Sequence, residues 1–184
     1  MKNTALLIID VQEAFNERVT LGHKRNNPDA EVQIAKILAA FRARSLPVFH
    51  IRHASTDPKS LFRPSRTGYA PQAFVKAKAG EVEIVKSVNS SFIGTSLEAD
   101  LKTRDLTHLV ICGATTNHCV ETTTRMAGNL GFSPQLLRDA CWAFDQTGPD
   151  GELHSAHSVH QMSLSNLNGE FAEITTVEKC LSQL

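Results

Sequence analysis

Short apolar runs alternate with amphipathic stretches along most of the chain. The first run, Thr4 to Ile9, has the continuous apolar character of a strand that is buried on both faces. Comparable runs follow at 48–51, 82–85, 109–112, 133–137 and 171–176. Apolar residues at helical spacing predict a helix that begins at Asp29 and further helices over 95–103, 117–130 and 151–168. This alternation predicts an α/β fold of βαβ units, with a parallel sheet covered by helices on both faces.

Residues 52–78 interrupt the alternation. They include Pro58, Pro64, Gly68 and Pro71 and show no regular periodicity. Six basic residues and one acidic residue give this segment a net charge of +5. Long loops in compact domains are often functional lids or mobile segments. We consider both a solvated charged face and a functional role, as a lid that attracts an anionic substrate or as a basic contact with a partner subunit.

Composition and charge narrow the class of protein. The 184 residues suit a single domain over 1–184, and 19 Lys plus Arg balance 19 Asp plus Glu. A neutral chain lacks the broad basic field of a nucleic-acid binder, and we expect no membrane partner either. Because no apolar run is long enough for a signal segment or a membrane span, we expect a cytoplasmic protein.

The four cysteines are far apart in the sequence. Cys112, Cys119, Cys141 and Cys180 contain no C-x-x-C pair, so neither a zinc ribbon nor a disulfide scaffold is indicated. Cys112 and Cys141 lie in or beside apolar strands and are predicted to be inert core residues. Cys119 follows a strand and a turn, at the start of a predicted helix. We expect the free N–H groups and the dipole of that helix to lower the pKa of its thiol.

Asp10 and Lys86 end two other predicted strands. Asp10 follows the run ALLII and could be either a structural cap or a site residue, whereas Lys86 ends EVEIVK and could simply extend into water. The carboxyl ends of parallel strands meet at one edge of the sheet, where ligands bind. Asp10, Lys86 and Cys119 could therefore converge at this edge. The acid could then take the thiol proton, the lysine could keep the acid ionised, and the thiolate could attack a carbonyl. A redox role for the thiol stays open.

Three sequence blocks carry a family resemblance. LLIIDVQEAF, EIVKSVNSSFIGTSLEADL and LVICGATTNHCVETTTRMAGNLGF resemble, in the same order, the signature blocks of the isochorismatase-like cysteine hydrolases. The resemblance implies a three-layer α/β/α domain with a six-stranded, mainly parallel sheet and a catalytic triad of Asp10, Lys86 and Cys119. It also implies a small-molecule amide or ureido substrate, no cofactor, and assembly as a homodimer or homotetramer.

The same resemblance implies a particular turn before the nucleophile. In the family this turn holds a non-proline cis peptide, which maps to the bond between Ala114 and Thr115. The backbone N–H groups of Thr115 and Cys119 would then form an oxyanion hole. Pocket walls are expected from side chains near the strand ends and in the basic segment, namely Gln12, Phe15, Phe62, Tyr69, Phe92, Thr116, His118 and Trp142. His118 could instead orient the start of the helix.

We expect no metal site. Nicotinamidases of this family carry an Asp-x-His motif after the second strand, whereas RHASTD places His53 and Asp57 outside that spacing. His154, His157 and His160 recur every three residues, which rotates them away from one another around a helix. We therefore predict that these three histidines form a surface or subunit-contact stripe.

Three functions agree with the sequence. The first is a cysteine hydrolase that cleaves a C–N bond through a thioester. The second is an isochorismatase-type vinyl-ether hydrolase, in which Asp10 protonates the substrate and Cys119 is dispensable. The third is a non-catalytic binding or redox-sensing protein. Replacement of Cys119 by Ala distinguishes the first from the second.

Overall fold

A six-stranded parallel sheet forms the centre of the molecule. The structure, a computed structural model, describes residues 3–184. Its strands are β1 (Thr4–Ile9), β2 (Val48–His53), β3 (Val82–Lys86), β4 (His108–Ala114), β5 (Ser133–Trp142), β6 (Gln146–Thr147), β7 (Leu153–His154) and β8 (Glu173–Thr175). The main sheet has the order β3-β2-β1-β4-β5-β8, and β6 and β7 form a separate antiparallel pair. All five pairings of the main sheet are parallel, as predicted.

Helices cover the sheet and supply most of the remaining core. They are α1 (Glu13–Thr20), α2 (Ala30–Ala43), α3 (Leu97–Thr103), α4 (Glu121–Asn129), α5 (Ala156–Leu167) and α6 (Val177–Gln183). α2 and α6 pack on each other and on the sheet, and α4 and α5 do the same. The apolar stripe that predicted α2 is almost completely buried, with Ile34, Ile37 and Phe41 at 0% exposure. The three-layer α/β/α architecture is therefore confirmed. None of the helices in the described part of the chain is long and apolar enough to cross a membrane.

Several predicted boundaries differ from the structure. The helix predicted over 117–130 begins at Glu121, after a wider π-helical turn over Thr116–Val120. The helix predicted over 151–168 begins at Ala156, where the Ser155 side chain accepts a hydrogen bond from the backbone N–H of Ser158. The sequence pattern also missed α1, α6 and the β6–β7 hairpin.

The strand order creates a crevice between β1 and β4. The chain adds β2 and β3 on one side of β1, then returns to place β4 on the other side. The connections that leave β1 and β4 therefore diverge, which is where α/β sheets bind ligands. Gly113 permits the close approach of these strands, because its φ is +124° and an added Cβ would lie 2.0 Å from the carbonyl oxygen of Ile9.

The basic segment 52–78 is not structureless. It contains 3₁₀ turns at Thr67–Tyr69 and Ala73–Val75. The fully buried amide of Gln12 donates hydrogen bonds to the carbonyls of His53 (3.1 Å) and Tyr69 (2.9 Å), and accepts one from the backbone N–H of His53 (2.8 Å). Gln12, which follows β1, thus holds the backbone of this segment near its start, at His53, and near its middle, at Tyr69.

Candidate active site

Asp10 and Lys86 form a buried ion pair at the carboxyl edge of the sheet. Asp10 directly follows β1, and Lys86 is the last residue of β3. The Nζ atom of Lys86 donates a hydrogen bond of 2.7 Å to Oδ2 of Asp10. The Lys86 side chain is 0% exposed, so it does not extend into water. The second carboxylate oxygen, Oδ1, is buried without a hydrogen-bond partner.

Cys119 lies beside this ion pair. Its Sγ atom, a carboxylate oxygen of Asp10 and a ring nitrogen of His53 all lie within 4.8 Å of one another. Cys119 belongs to the π-helical turn that follows β4, so the thiol reaches the crevice between β1 and β4. The structure therefore brings together the three residues that the sequence placed at separate strand ends.

The Cys119 thiol differs from the prediction. We expected a helix N-terminus to lower its pKa, but burial, followed by the negative charge of Asp10, raises the pKa of Cys119 to about 12. Lys86 acts in the opposite direction and does not overcome these effects. The thiol is consequently neutral near pH 7 and becomes a nucleophile only when a nearby base accepts its proton. Asp10 is the base in reach.

His53 is a fourth polar residue of the site, and the predicted triad omitted it. It ends β2, the strand that lies between β1 and β3 in the sheet. Its Nδ1 atom is buried without a hydrogen-bond partner. Burial and the neighbouring Lys86 lower the pKa of the imidazole, so the ring is neutral near pH 7. Its position at a strand end, like those of Asp10 and Lys86, was the available sequence signal.

One group of metal-ligand atoms occurs within residues 3–184, and it is the same cluster of Asp10, His53 and Cys119. The ammonium of Lys86 lies 2.7 Å from Asp10, so a bound cation would have to displace it or share the carboxylate with it. Asp57 is exposed and binds the backbone N–H of Lys59 instead. The cluster therefore suits proton transfer better than chelation.

Two histidines support the turn before Cys119. The peptide bond between Ala114 and Thr115 is cis. Nδ1 of His118 lies 2.9 Å from Oγ1 of Thr115, and Nδ1 of His160 lies 2.8 Å from Oγ1 of Thr116. His118 thus contacts the turn itself, in agreement with the orienting role considered for it.

The predicted histidine stripe is wrong for His160. His154 and His157 are exposed, but His160 is 2% exposed. Because α5 begins only at Ala156, His154 belongs to β7 and does not share a helix with the other two. Burial also lowers the pKa of His160 to about 4, so this ring is neutral near pH 7.

Comparison with known proteins identifies the family. The isochorismatase domain model matches residues 4–179. The chain belongs to the isochorismatase family. It is 46% identical over 178 residues to the isochorismatase family protein YrdC of Bacillus subtilis. The aligned region covers 97% of this chain and 94% of YrdC.

Structural and more distant comparisons agree. A crystal structure of an isochorismatase-family protein from Chromobacterium violaceum superimposes with a TM-score of 0.94 at 43% identity, over 99% of this chain and 93% of that one. Ureidoacrylate amidohydrolase RutB of Variovorax paradoxus is 24% identical, over 96% of this chain and 79% of the relative. The protein is an isochorismatase-family hydrolase.

Aromatic residues form one side of this family site. The ring of Phe62 packs at 4.9 Å on Phe15 and at 5.9 Å on His53. Trp142 is fully buried, with its ring 5.6 Å from Phe15, so it supports the wall from behind. Tyr69 is half-buried, and the guanidinium of Arg52 lies 5.2 Å from its ring centre. Phe62 and Tyr69 are thus the half-buried aromatic residues near the site.

Three other predicted pocket residues have different roles in this hydrolase. Phe92 is a core residue that stacks on Phe132 at 5.8 Å, because the turn after β3 directs it toward the interior. Thr116 is fully buried and binds His160. Gln12 is also fully buried, and its amide is occupied by the backbone of His53 and Tyr69. Phe92, Thr116 and Gln12 thus have packing or hydrogen-bond partners in the structure, and their positions in the pocket wall stay predictions.

Proposed function

We propose that this protein is a cysteine amidohydrolase that cleaves an amide or ureido C–N bond of a small molecule through a thioester on Cys119. The proposal rests chiefly on one observation: a thiol whose pKa is raised by burial lies beside a carboxylate that accepts a hydrogen bond from a buried lysine. The similarity to ureidoacrylate amidohydrolase RutB supports a ureido or amide substrate. The isochorismatase-type reaction at a vinyl ether is the competing chemistry.

In the proposed acylation step, Asp10 accepts the proton of the Cys119 thiol as sulfur attacks the substrate carbonyl. The backbone N–H groups of Thr115 and Cys119 stabilise the oxyanion, a type of contact worth about 2.7 to 4 kcal/mol. Protonated Asp10 then donates the proton to the departing nitrogen. The C–N bond breaks, and the carboxylate is again paired with Lys86.

The direct test measures ammonia release from a panel of small primary amides and ureido acids that includes ureidoacrylate. We expect release by the wild-type protein and by Cys180→Ala, a matched control in which a buried thiol outside the site is removed. Cys119→Ala should lose at least about 1,000-fold in kcat, because the nucleophile is absent.

Two results would contradict the proposal. Ammonia release that survives in Cys119→Ala would show that the thiol is dispensable. Isochorismate hydrolysis by both the wild-type protein and Cys119→Ala would instead establish the vinyl-ether reaction, with Asp10 as the acid.

A further inference from the structure

Two buried polar atoms at the site have no hydrogen-bond partner. They are Oδ1 of Asp10 and Nδ1 of His53. An unsatisfied buried polar atom is unfavourable, and such atoms are uncommon in folded proteins. Two of them beside one thiol indicate that a polar reactant binds between them during the reaction.

The separation of these groups suits a single water molecule. A carboxylate oxygen of Asp10, a ring nitrogen of His53 and Sγ of Cys119 lie within 4.8 Å of one another. One water that makes two ordinary hydrogen bonds can bridge polar atoms up to about 5 Å apart, which includes this limit. A water at this point would also lie next to the carbonyl carbon of an acyl group on Sγ.

The ring of His53 can present a hydrogen-bond acceptor to the site. Burial and Lys86 lower the pKa of the imidazole, so the ring is neutral near pH 7. A neutral imidazole has one N–H donor and one nitrogen with a lone pair. In the tautomer with its proton on Nε2, the unpartnered Nδ1 is the acceptor.

The position of the ring is fixed from two sides. Gln12 binds the backbone N–H and the carbonyl of His53, at 2.8 and 3.1 Å. The ring itself packs against Phe62 in a T-shaped contact, with the ring centres 5.9 Å apart. An acceptor held in this way can orient a small molecule with little loss of conformational entropy.

We propose that His53 orients the water that hydrolyses the acyl-enzyme, an inference that rests on the proposed thioester mechanism. The water donates a hydrogen bond to Nδ1 of His53 through one hydrogen and transfers its other proton to Asp10. The water oxygen adds to the thioester carbon, and the C–S bond breaks to give a carboxylic acid. Asp10 then returns its proton to the departing sulfur, which regenerates the thiol. His53 thus acts in deacylation, whereas acylation requires only Asp10, Lys86 and Cys119.

The two steps can be separated with p-nitrophenyl acetate. Acetylation of Cys119 releases a burst of p-nitrophenolate, and hydrolysis of the acetyl thioester sets the slower steady rate. For His53→Phe, which keeps an aromatic ring against Phe62, we expect a burst rate within twofold of wild type and a steady rate at least about 10-fold lower. Mass spectrometry should detect accumulated acetyl thioester on the peptide that contains Cys119.

Two rescues test the water-orienting role rather than packing. His53→Asn places a polar atom near the position of Nδ1 and should recover part of the steady rate. Hydroxylamine, a nucleophile stronger than water, should release the acetyl group from His53→Phe at a rate similar to wild type. His108→Asn is the matched control, because His108 is exposed at the opposite end of β4, and both rates should equal those of wild type.

Each alternative result has one meaning. An unchanged steady rate in His53→Phe, or equal losses in the burst and the steady rate, would overturn the role of His53 while leaving the thioester mechanism intact. Release of p-nitrophenolate that persists at the wild-type rate in Cys119→Ala would contradict the thioester mechanism itself. If His53→Phe does not fold, as judged by its thermal unfolding, His53→Ala provides the same comparison.

Discussion

At the residue scale, the ion pair between Asp10 and Lys86 can be tested by removal of one charge. Lys86→Met would leave the Asp10 carboxylate buried without a counterion, because both side chains are at most 2% exposed. We expect a decrease of about 3 to 5 kcal/mol in the free energy of unfolding, together with loss of activity. Urea denaturation measures the first effect.

A double variant checks the electrostatic explanation. Asp10→Asn combined with Lys86→Met removes both charges and should regain most of the lost stability. Lys102→Met serves as the control, since its pair with Glu98 is largely exposed and should contribute less than about 1 kcal/mol. A double variant as unstable as Lys86→Met would indicate a packing defect rather than an unpaired charge.

The acidity of Cys119 gives a second test at this scale. Burial and the charge of Asp10 both raise its pKa, so alkylation by iodoacetamide should be slow at pH 7 and should accelerate as pH rises toward about 12. Asp10→Asn removes one cause and leaves Lys86 to stabilise the thiolate, so alkylation at pH 7 should become faster. Peptide mass spectrometry measures the rate at Cys119 alone. A slower reaction in Asp10→Asn would show that the role of Asp10 as the base outweighs its effect on the pKa of the thiol.

Sequence patterns found some site residues and missed others for physical reasons. Asp10 and Lys86 could be found because each is a polar residue at the end of an apolar strand, and Cys119 because it follows such a strand after a short turn. His53 also ends a strand, but it was considered only as a metal ligand. The pKa of Cys119 could not be predicted, because it depends on burial and on a carboxylate that is distant in sequence.

At the scale of elements, Gly113 determines how closely β4 can approach β1. Gly113→Ala would place a Cβ 2.0 Å from the carbonyl oxygen of Ile9, at a φ of +124° that is strained for alanine. We expect a loss of more than about 4 kcal/mol in the free energy of unfolding, or failure to fold. Gly131→Ala is the control, because Gly131 also has a positive φ but no atom lies near the position of an added Cβ. For this variant we expect a loss of about 1 to 2 kcal/mol in the free energy of unfolding. Similar losses in the two variants would refute the steric explanation.

His160 couples α5 to the π-helical turn over Thr116–Val120 and should make stability depend on pH. Burial lowers the pKa of His160 from its ordinary value of 6.5 to about 4 in the folded protein. As pH falls, the imidazole therefore binds a proton in the unfolded chain before it does so in the folded protein. Stability should therefore decrease between pH 6.5 and pH 4. His160→Gln lacks this proton, so its melting temperature should fall less over that interval. His157→Gln, an exposed neighbour on α5, should follow wild type.

Elements were predicted in proportion to the apolar surface they bury. The long stripe of α2 and the strands of the main sheet gave clear patterns. By contrast, α1 buries only Ala14 and Phe15, and α6 only Val177 and Cys180. These short helices are held by tertiary contacts that the local sequence does not reveal. The extra turn before α4 was missed because apolar periodicity does not distinguish π-helical from α-helical turns.

At the scale of the whole molecule, Gln12 joins the chain after β1 to the basic segment 52–78. Gln12→Ala would leave backbone groups of His53 and Tyr69 without their partners. We expect about 2 to 3 kcal/mol lower stability and faster tryptic cleavage after the exposed Lys59. Gln161→Ala, at an exposed position of α5, should match wild type in both assays. An unchanged cleavage rate in Gln12→Ala would mean that other contacts hold the segment.

The anchoring by Gln12 has a consequence for engineering. Its amide contacts only main-chain atoms of His53 and Tyr69, so it places no demand on the side chains between them. The stretch from Ser55 to Arg66, with Phe62 retained because it packs on His53, could then be exchanged for loops of other composition while its two attachment points stay in place. Libraries built on this stretch would test whether it determines substrate preference, which makes the protein a candidate scaffold for new hydrolases.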